Sequence, residues 1–107
     1  PIPKASASSI SNYTAKFNRS YDDVFITALS ALEKSPITVV SFDSLSGKIF
    51  CNYKNSKAII AQVERTAANI TIFSITSADG AYNIPLSITN NIFQDVKQEL
   101  LKTDSNF

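Results

Sequence analysis

Between Ser20 and Tyr53 the chain commits to one order of elements: an amphipathic helix, a stop at Pro36, and two strands joined through Asp43-Ser44-Leu45-Ser46-Gly47. Ser20 can cap the helix, with Asp23 at the capping-box spacing and Asp22 adding a second negative charge at the positive end of the helix dipole. Tyr21, Val24, Phe25, Ala28, Leu29 and Leu32 recur at steps of three and four, which places them on a single stripe. Asp22, Asp23, Thr27, Ser30 and Glu33 fall on the wet side or at the margins of that stripe. Lys34 suits the negative end of the dipole, and Pro36 biases Ser35 out of the helical region, which ends the element. Ile37 to Phe42 is rich in β-branched residues, and Lys48 to Tyr53 follows directly on Gly47, whose tolerance of positive φ suits a hairpin turn. Capping, turn chemistry and burial account for nearly every residue of the run, so it constrains architecture more than chemistry.

The rest of the chain completes a sheet around this helix. Tyr13, Ala15 and Phe17 alternate with Thr14, Lys16 and Asn18, which predicts a short strand broken by Asn18-Arg19-Ser20. Ala58 to Glu64 and Asn69 to Thr76 read as further strands, with turns over Asn52 to Lys57 and Arg65 to Ala68. Connections this short favour antiparallel neighbours, because a parallel crossover needs about a dozen residues. Asp79-Gly80 marks another turn, and Ala81 to Ile84 is either a stub of strand or the approach to the last helix. Pro85 fits the first turn of that helix, where Ile88, Ile92, Val96 and Leu100 step by four, joined by Phe93 and Leu101. The expected fold is α+β and two-layered: an antiparallel meander with both helices on one face, order β-α-β-β-β-β-α, helix-grip-like. A chain of 107 residues suits one such domain. It is placed at 13–102, after a flexible tether over 1–12 that contains Pro1 and Pro3, and before a frayed tail over 103–107.

Missing residue types exclude most chemistries. The chain has no His, so a Ser-His-Asp triad, a Cys-His pair and an imidazole metal site cannot be assembled from it. Cys51 is the single cysteine, which removes an internal disulfide and a Cys-rich zinc site, and its strand position beside Ile49 and Tyr53 predicts a small buried hydrophobe. With Gly47 and Gly80 as the only glycines, a phosphate-cradling loop is not available. Asp22 and Asp23 serve a helix terminus, and Asp43 serves its turn. No catalytic residue, cofactor or metal is therefore expected. A net charge of +1 supplies no field toward nucleic acid, and Lys48, Lys54, Lys57 and Arg65 read as solvated side chains. Double-stranded RNA-binding domains also combine helices with a small antiparallel sheet, but they carry lysines where the last helix begins, and Ile84 to Asn91 has no basic residue. No apolar run approaches the ~18 residues that span a bilayer, which predicts a soluble chain. The start at Pro1 and the lack of Met suggest a processed or trimmed product. Ser, Thr and Asn supply 32 of the 107 residues, a polar uncharged bias that suits an exported protein. The sequons at Asn12, Asn18 and Asn69 matter only in a eukaryotic secretory context.

The sheet carries more apolar residues than one buried face requires. Ile49, Cys51 and Tyr53 oppose Phe50, Ile59, Ala61 and Val63 oppose Ile60, and Ile70 and Ile72 oppose Phe73 and Ile75. The excess predicts a docking face that includes Phe50, Ile60 and Phe73, engaging a protein partner or a second copy of the chain. A bulge in the strand over Asn69 to Thr76 that switches its facing, or cover from the first strand and the N-terminal arm, would explain the excess without a partner.

Phe17-Asn18-Arg19-Ser20-Tyr21-Asp22-Asp23-Val24, then Ala28-Leu29, then the stretch from Ile37 through Asp43-Ser44-Leu45-Ser46-Gly47 to Tyr53, form a recognisable pattern. A leading strand, a helix, a strand ending in Asp-x-x-Ser-Gly and a strand ending in an aromatic residue resemble the repeated domains of the outer-membrane-assembly lipoprotein BamC and similar small bacterial envelope lipoproteins. The likeness is architectural and covers about residues 13 to 64. It implies a non-enzymatic domain in the periplasm or at the outer membrane, held by an N-terminal lipid and working through protein contacts. The lipid-bearing cysteine such proteins start with is not at Pro1, and trimming would remove it. The expected function is thus an envelope accessory domain, with a small apolar-ligand carrier as the alternative, its pocket lying between sheet and helices. A closed cavity lined by the Leu29 and Ile92 faces would favour the carrier, and a solid core with an apolar outer surface would favour docking.

Overall fold

A computed structural model describes residues 9–10, 13–78 and 84–105. Strands β1 (Ser9–Ile10) and β2 (Thr14–Phe17) lead into helix α1 (Tyr21–Glu33). Strands β3 (Thr38–Asp43), β4 (Lys48–Tyr53), β5 (Lys57–Ala67) and β6 (Ile70–Ser77) follow, and helix α2 (Leu86–Ser105) is the last described element. The fold is α+β, as the residue pattern predicts, with β1 added as a short antiparallel partner of β2 through Ser9–Lys16 and Ile10–Ala15. Residues 1–8 and the Asp79-Gly80 turn lie outside the described residues. Of the 81–84 segment only Ile84 is described; it is buried, and its carbonyl accepts the Tyr13 hydroxyl at 3.2 Å.

The strand order is β1-β2-β6-β5-β4-β3, antiparallel throughout. The chain thus enters beside one edge, crosses the sheet as α1, and returns strand by strand until β6 pairs with β2. Alternation decides which face is dry: Ala15 and Phe17, Ile49, Cys51 and Tyr53, Ile59, Ala61 and Val63, and Phe73 and Ile75 are all buried. Val24, Phe25, Ala28, Ala31 and Leu32 of α1 meet them, together with Ile92, Phe93, Val96 and Leu100 of α2. Among the described residues no helix is long and apolar enough to cross a membrane.

Local chemistry fixes the joints. The Asp23 N–H donates to Ser20 Oγ at 3.2 Å, so Ser20 is the N-cap, but the Asp23 carboxylate pairs with Arg19 at 3.0 Å instead of closing a capping box. Arg19 also donates to the Leu100 carbonyl at 2.9 Å, and the buried Thr71 hydroxyl donates to the Arg19 carbonyl at 2.8 Å. The β2–α1 junction is therefore tied to α2 and to β6. The turn expected over Arg65 to Ala68 is shorter and later: β5 runs to Ala67 through a register shift between Arg65 and Ala67, leaving Ala68-Asn69 to turn. The Thr66 hydroxyl, donating to the Ile70 carbonyl at 3.2 Å, closes the ends of the two strands.

Candidate protein-docking surface

Of the residues expected on a docking face, the structure brings two together and sends one elsewhere. Phe50 and Ile60 are cross-strand partners on the sheet face away from the helices, Phe50 40% exposed and Ile60 half-buried. Phe73 faces the helices instead, fully buried against Phe93 with ring centroids 5.3 Å apart, edge to face. The reason is the phase of β6. Its core-facing set is Thr71, Phe73 and Ile75, which leaves Ile72 on the outer face. The register shift lies in β5 and not in β6, so nothing switches β6 between faces. Polar rows divide what apolar surface the outer face retains: Thr14, Ser74, Gln62 and Lys48 lie in register between the Phe50–Ile60 pair and Ile72, which itself sits between Lys16 and Glu64.

Another apolar surface lies where α1 meets the β3–β4 hairpin. Tyr21 stacks on Phe25 at 5.6 Å, and Phe25 meets the edge of Phe42 at 6.0 Å. Phe42 pairs in register with Ile49, which puts its ring on the helix side of edge strand β3, where it stays 55% exposed because the sheet stops there. Ile26 projects from α1 off the buried stripe at 67% exposure, and Leu45 stands at the hairpin tip at 97%. These residues and Leu29 line an open groove of about 590 Å³, whose charged members are Asp22 and Arg65. The Tyr21 hydroxyl donates to the Ser44 carbonyl and anchors the hairpin tip to the helix. Burial raises the Tyr21 pKa above its ordinary 10.0, with the Asp22 and Asp43 carboxylates adding to the shift and Arg65 opposing it. The phenol is therefore neutral, and a donor, throughout the physiological range.

Sequence reading missed Ile26, Phe42 and Leu45 as surface residues, although two of them carried a signal. Ile26 is apolar at a helix position outside the stripe, and Leu45 is apolar inside a tight turn. Phe42 carried none, since only the strand order makes β3 an edge. A second open cleft, of about 410 Å³, lies between the end of α1 and α2, with Ala31, Ile88 and Ile92 below a rim of Lys34, Asn91, Gln94 and Gln98. Leu29 and Ile92 thus line two different clefts, both open. Cys51 is 3% exposed, and burial pushes its thiol up to about 11, far from the range of a reactive thiolate. Among the described residues no cluster of three His, Cys, Asp or Glu side chains could hold a metal ion. A scan against protein-family models finds no match for this chain, and no curated protein matches its sequence.

Proposed function

We propose that this domain is a non-enzymatic accessory module of the bacterial cell envelope that works through protein–protein contacts. The observation that carries the reading is the apolar surface around Ile26, Phe42 and Leu45, gathered at an open groove between α1 and the β3–β4 hairpin. Isolated exposed hydrophobes are ordinary, but a contiguous group with an aromatic floor marks a surface that another molecule can dry. The resemblance to BamC-like lipoprotein domains supports the envelope location, as does the Ser, Thr and Asn bias of the chain. On this reading an N-terminal lipid reaches the membrane and the domain itself stays in water. The carrier reading is less well supported, because Phe73 packs edge to face on Phe93 between sheet and α2, and the clefts that Leu29 and Ile92 line are both open.

Site-specific photo-crosslinking in the native host tests the proposal, with the probe placed at Leu45, at Phe50, and at exposed Lys16 as a control. Discrete adducts from Leu45 or Phe50 in the envelope fraction are expected. Adducts equal to the Lys16 control at both positions, or a protein confined to the cytosolic fraction, would overturn it.

A further inference from the structure

The hairpin tip presents one large apolar side chain to water and holds it there. The Leu45 N–H donates to Asp43 Oδ1 at 3.1 Å, and the Gly47 N–H donates to the Asp43 carbonyl at 2.9 Å. The Gly47 carbonyl accepts the Val63 N–H at 2.8 Å, and the Tyr21 hydroxyl holds Ser44. None of these bonds needs the Leu45 side chain, which is 97% exposed. With the backbone already ordered, seating Leu45 costs only the rotamer freedom of its own side chain, so the position of the knob is preorganised. Leu45 also forms one wall of a matching hole: the groove of about 590 Å³ has Phe25 and Leu29 at its base and Ile26 and Phe42 around it, with room for a leucine.

A knob and a hole of the same chemistry on one patch meet the geometric demand of a two-fold contact, in which each feature of one copy faces its counterpart on the other. The charges agree. The charged residues that line the groove are one carboxylate, Asp22, and one guanidinium, Arg65, so two copies can set each against its opposite, and Arg65 is in no ion pair among the described residues. A patch of a single sign would repel its own copy. Strand addition at β3 is the less suited route, because the register shift between Val39 and Ser41 breaks the edge that an added strand would follow. Side chains, and not backbone, are what this edge offers a partner.

We infer that the occupant of the groove is a second copy of this chain, related by a two-fold axis. Leu45 of each copy seats in the groove of the other, and Asp22 of each faces Arg65 across the axis. The inference rests on the reading of the domain as an interaction module and names its partner.

Sedimentation velocity of the full chain between ~10 μM and ~1 mM tests it. A reversible dimer is expected, with Leu45→Asp and Asp22→Arg each weakening it at least ~10-fold. Asp22→Arg combined with Arg65→Asp in one chain restores complementarity and recovers most of that loss, an outcome that a merely structural role for Asp22 would not give. Circular dichroism of Leu45→Asp should match the parent, since the side chain packs on almost nothing. A monomer at ~1 mM, a dimer that Leu45→Asp leaves intact, or a charge-swapped chain no tighter than Asp22→Arg overturns the inference. Photo-crosslinking separates the levels: a monomer whose Leu45 probe still captures another envelope protein overturns the second copy and leaves the interaction reading standing.

Discussion

Cys51 shows how far a single residue's environment can be followed into solution behaviour. Its thiol lies 3% exposed on β4, with Sγ 3.6 Å from the Ile49 carbonyl, and burial raises its pKa from 9.0 to about 11. The native state therefore keeps a proton that the unfolded chain releases above pH 9. Stability from this group is fully present below pH 9 and is lost as pH rises through 11, at up to about 1.4 kcal/mol per unit of pKa difference. The Tyr21 phenol, also raised, adds a loss of the same sign at higher pH. Urea denaturation of the parent and of Cys51→Ala from pH 7 to pH 11 separates the two: the parent should lose more stability than the variant across the window, and the thiol should resist alkylation at pH 8 until the chain unfolds. Equal slopes would mean that the thiol is not desolvated. The burial of Cys51 was legible from its strand phase, because Ile49 and Tyr53 flank it at a spacing of two.

Among the elements, the β3–β4 hairpin was the most legible and β6 the least. Asp43 to Gly47 carries its turn chemistry in its residue types, and the observed bonds follow them. Gly47 adopts φ +78° within that turn, and a Cβ built there would collide with the Val63 carbonyl oxygen, which belongs to β5 backbone and cannot simply rotate away. Gly47→Ala should therefore cost at least about 2 kcal/mol, the left-handed penalty plus the displaced Val63 contact, read as a lower urea midpoint with unchanged m-value. A loss below about 0.5 kcal/mol would show that hairpin and β5 yield more easily than their bonding suggests. For β6 the period of two was clear but its phase was not, since Ile70 and Ile72 compete with Phe73 and Ile75 for the core. The set that won includes Thr71, a polar residue that buries only because its hydroxyl finds the Arg19 carbonyl, 52 positions away in sequence. Local patterning contains no trace of that bond. The groove was illegible for a related reason: it needs β3 to be the edge and α1 to cross toward it, and both depend on strand order.

At the scale of the whole molecule, two layers mean that one face of the sheet is packed and the other is wet, and Phe50 and Phe73 sample the two sides. Phe73 is fully buried between the sheet and Phe93, and β6 lies between β5 and β2, where neighbours can do little to fill a hole. Phe73→Ala removes an aromatic side chain and its edge-to-face contact, at a cost of about 3–5 kcal/mol. Phe50, 40% exposed and paired across strands with Ile60, loses much less on replacement by Thr, which keeps the β-branched preference of a strand; about 1 kcal/mol is the ceiling for such a cross-strand pair. For a domain of this length a few kcal/mol is a large part of the total, so Phe73→Ala should be partly unfolded at 37 °C while Phe50→Thr melts near the parent. Chemical denaturation of the three proteins side by side measures the contrast. Comparable losses at both sites would mean that the outer face is covered in solution, by the N-terminal arm or by another chain, and that the sheet is the middle of three layers.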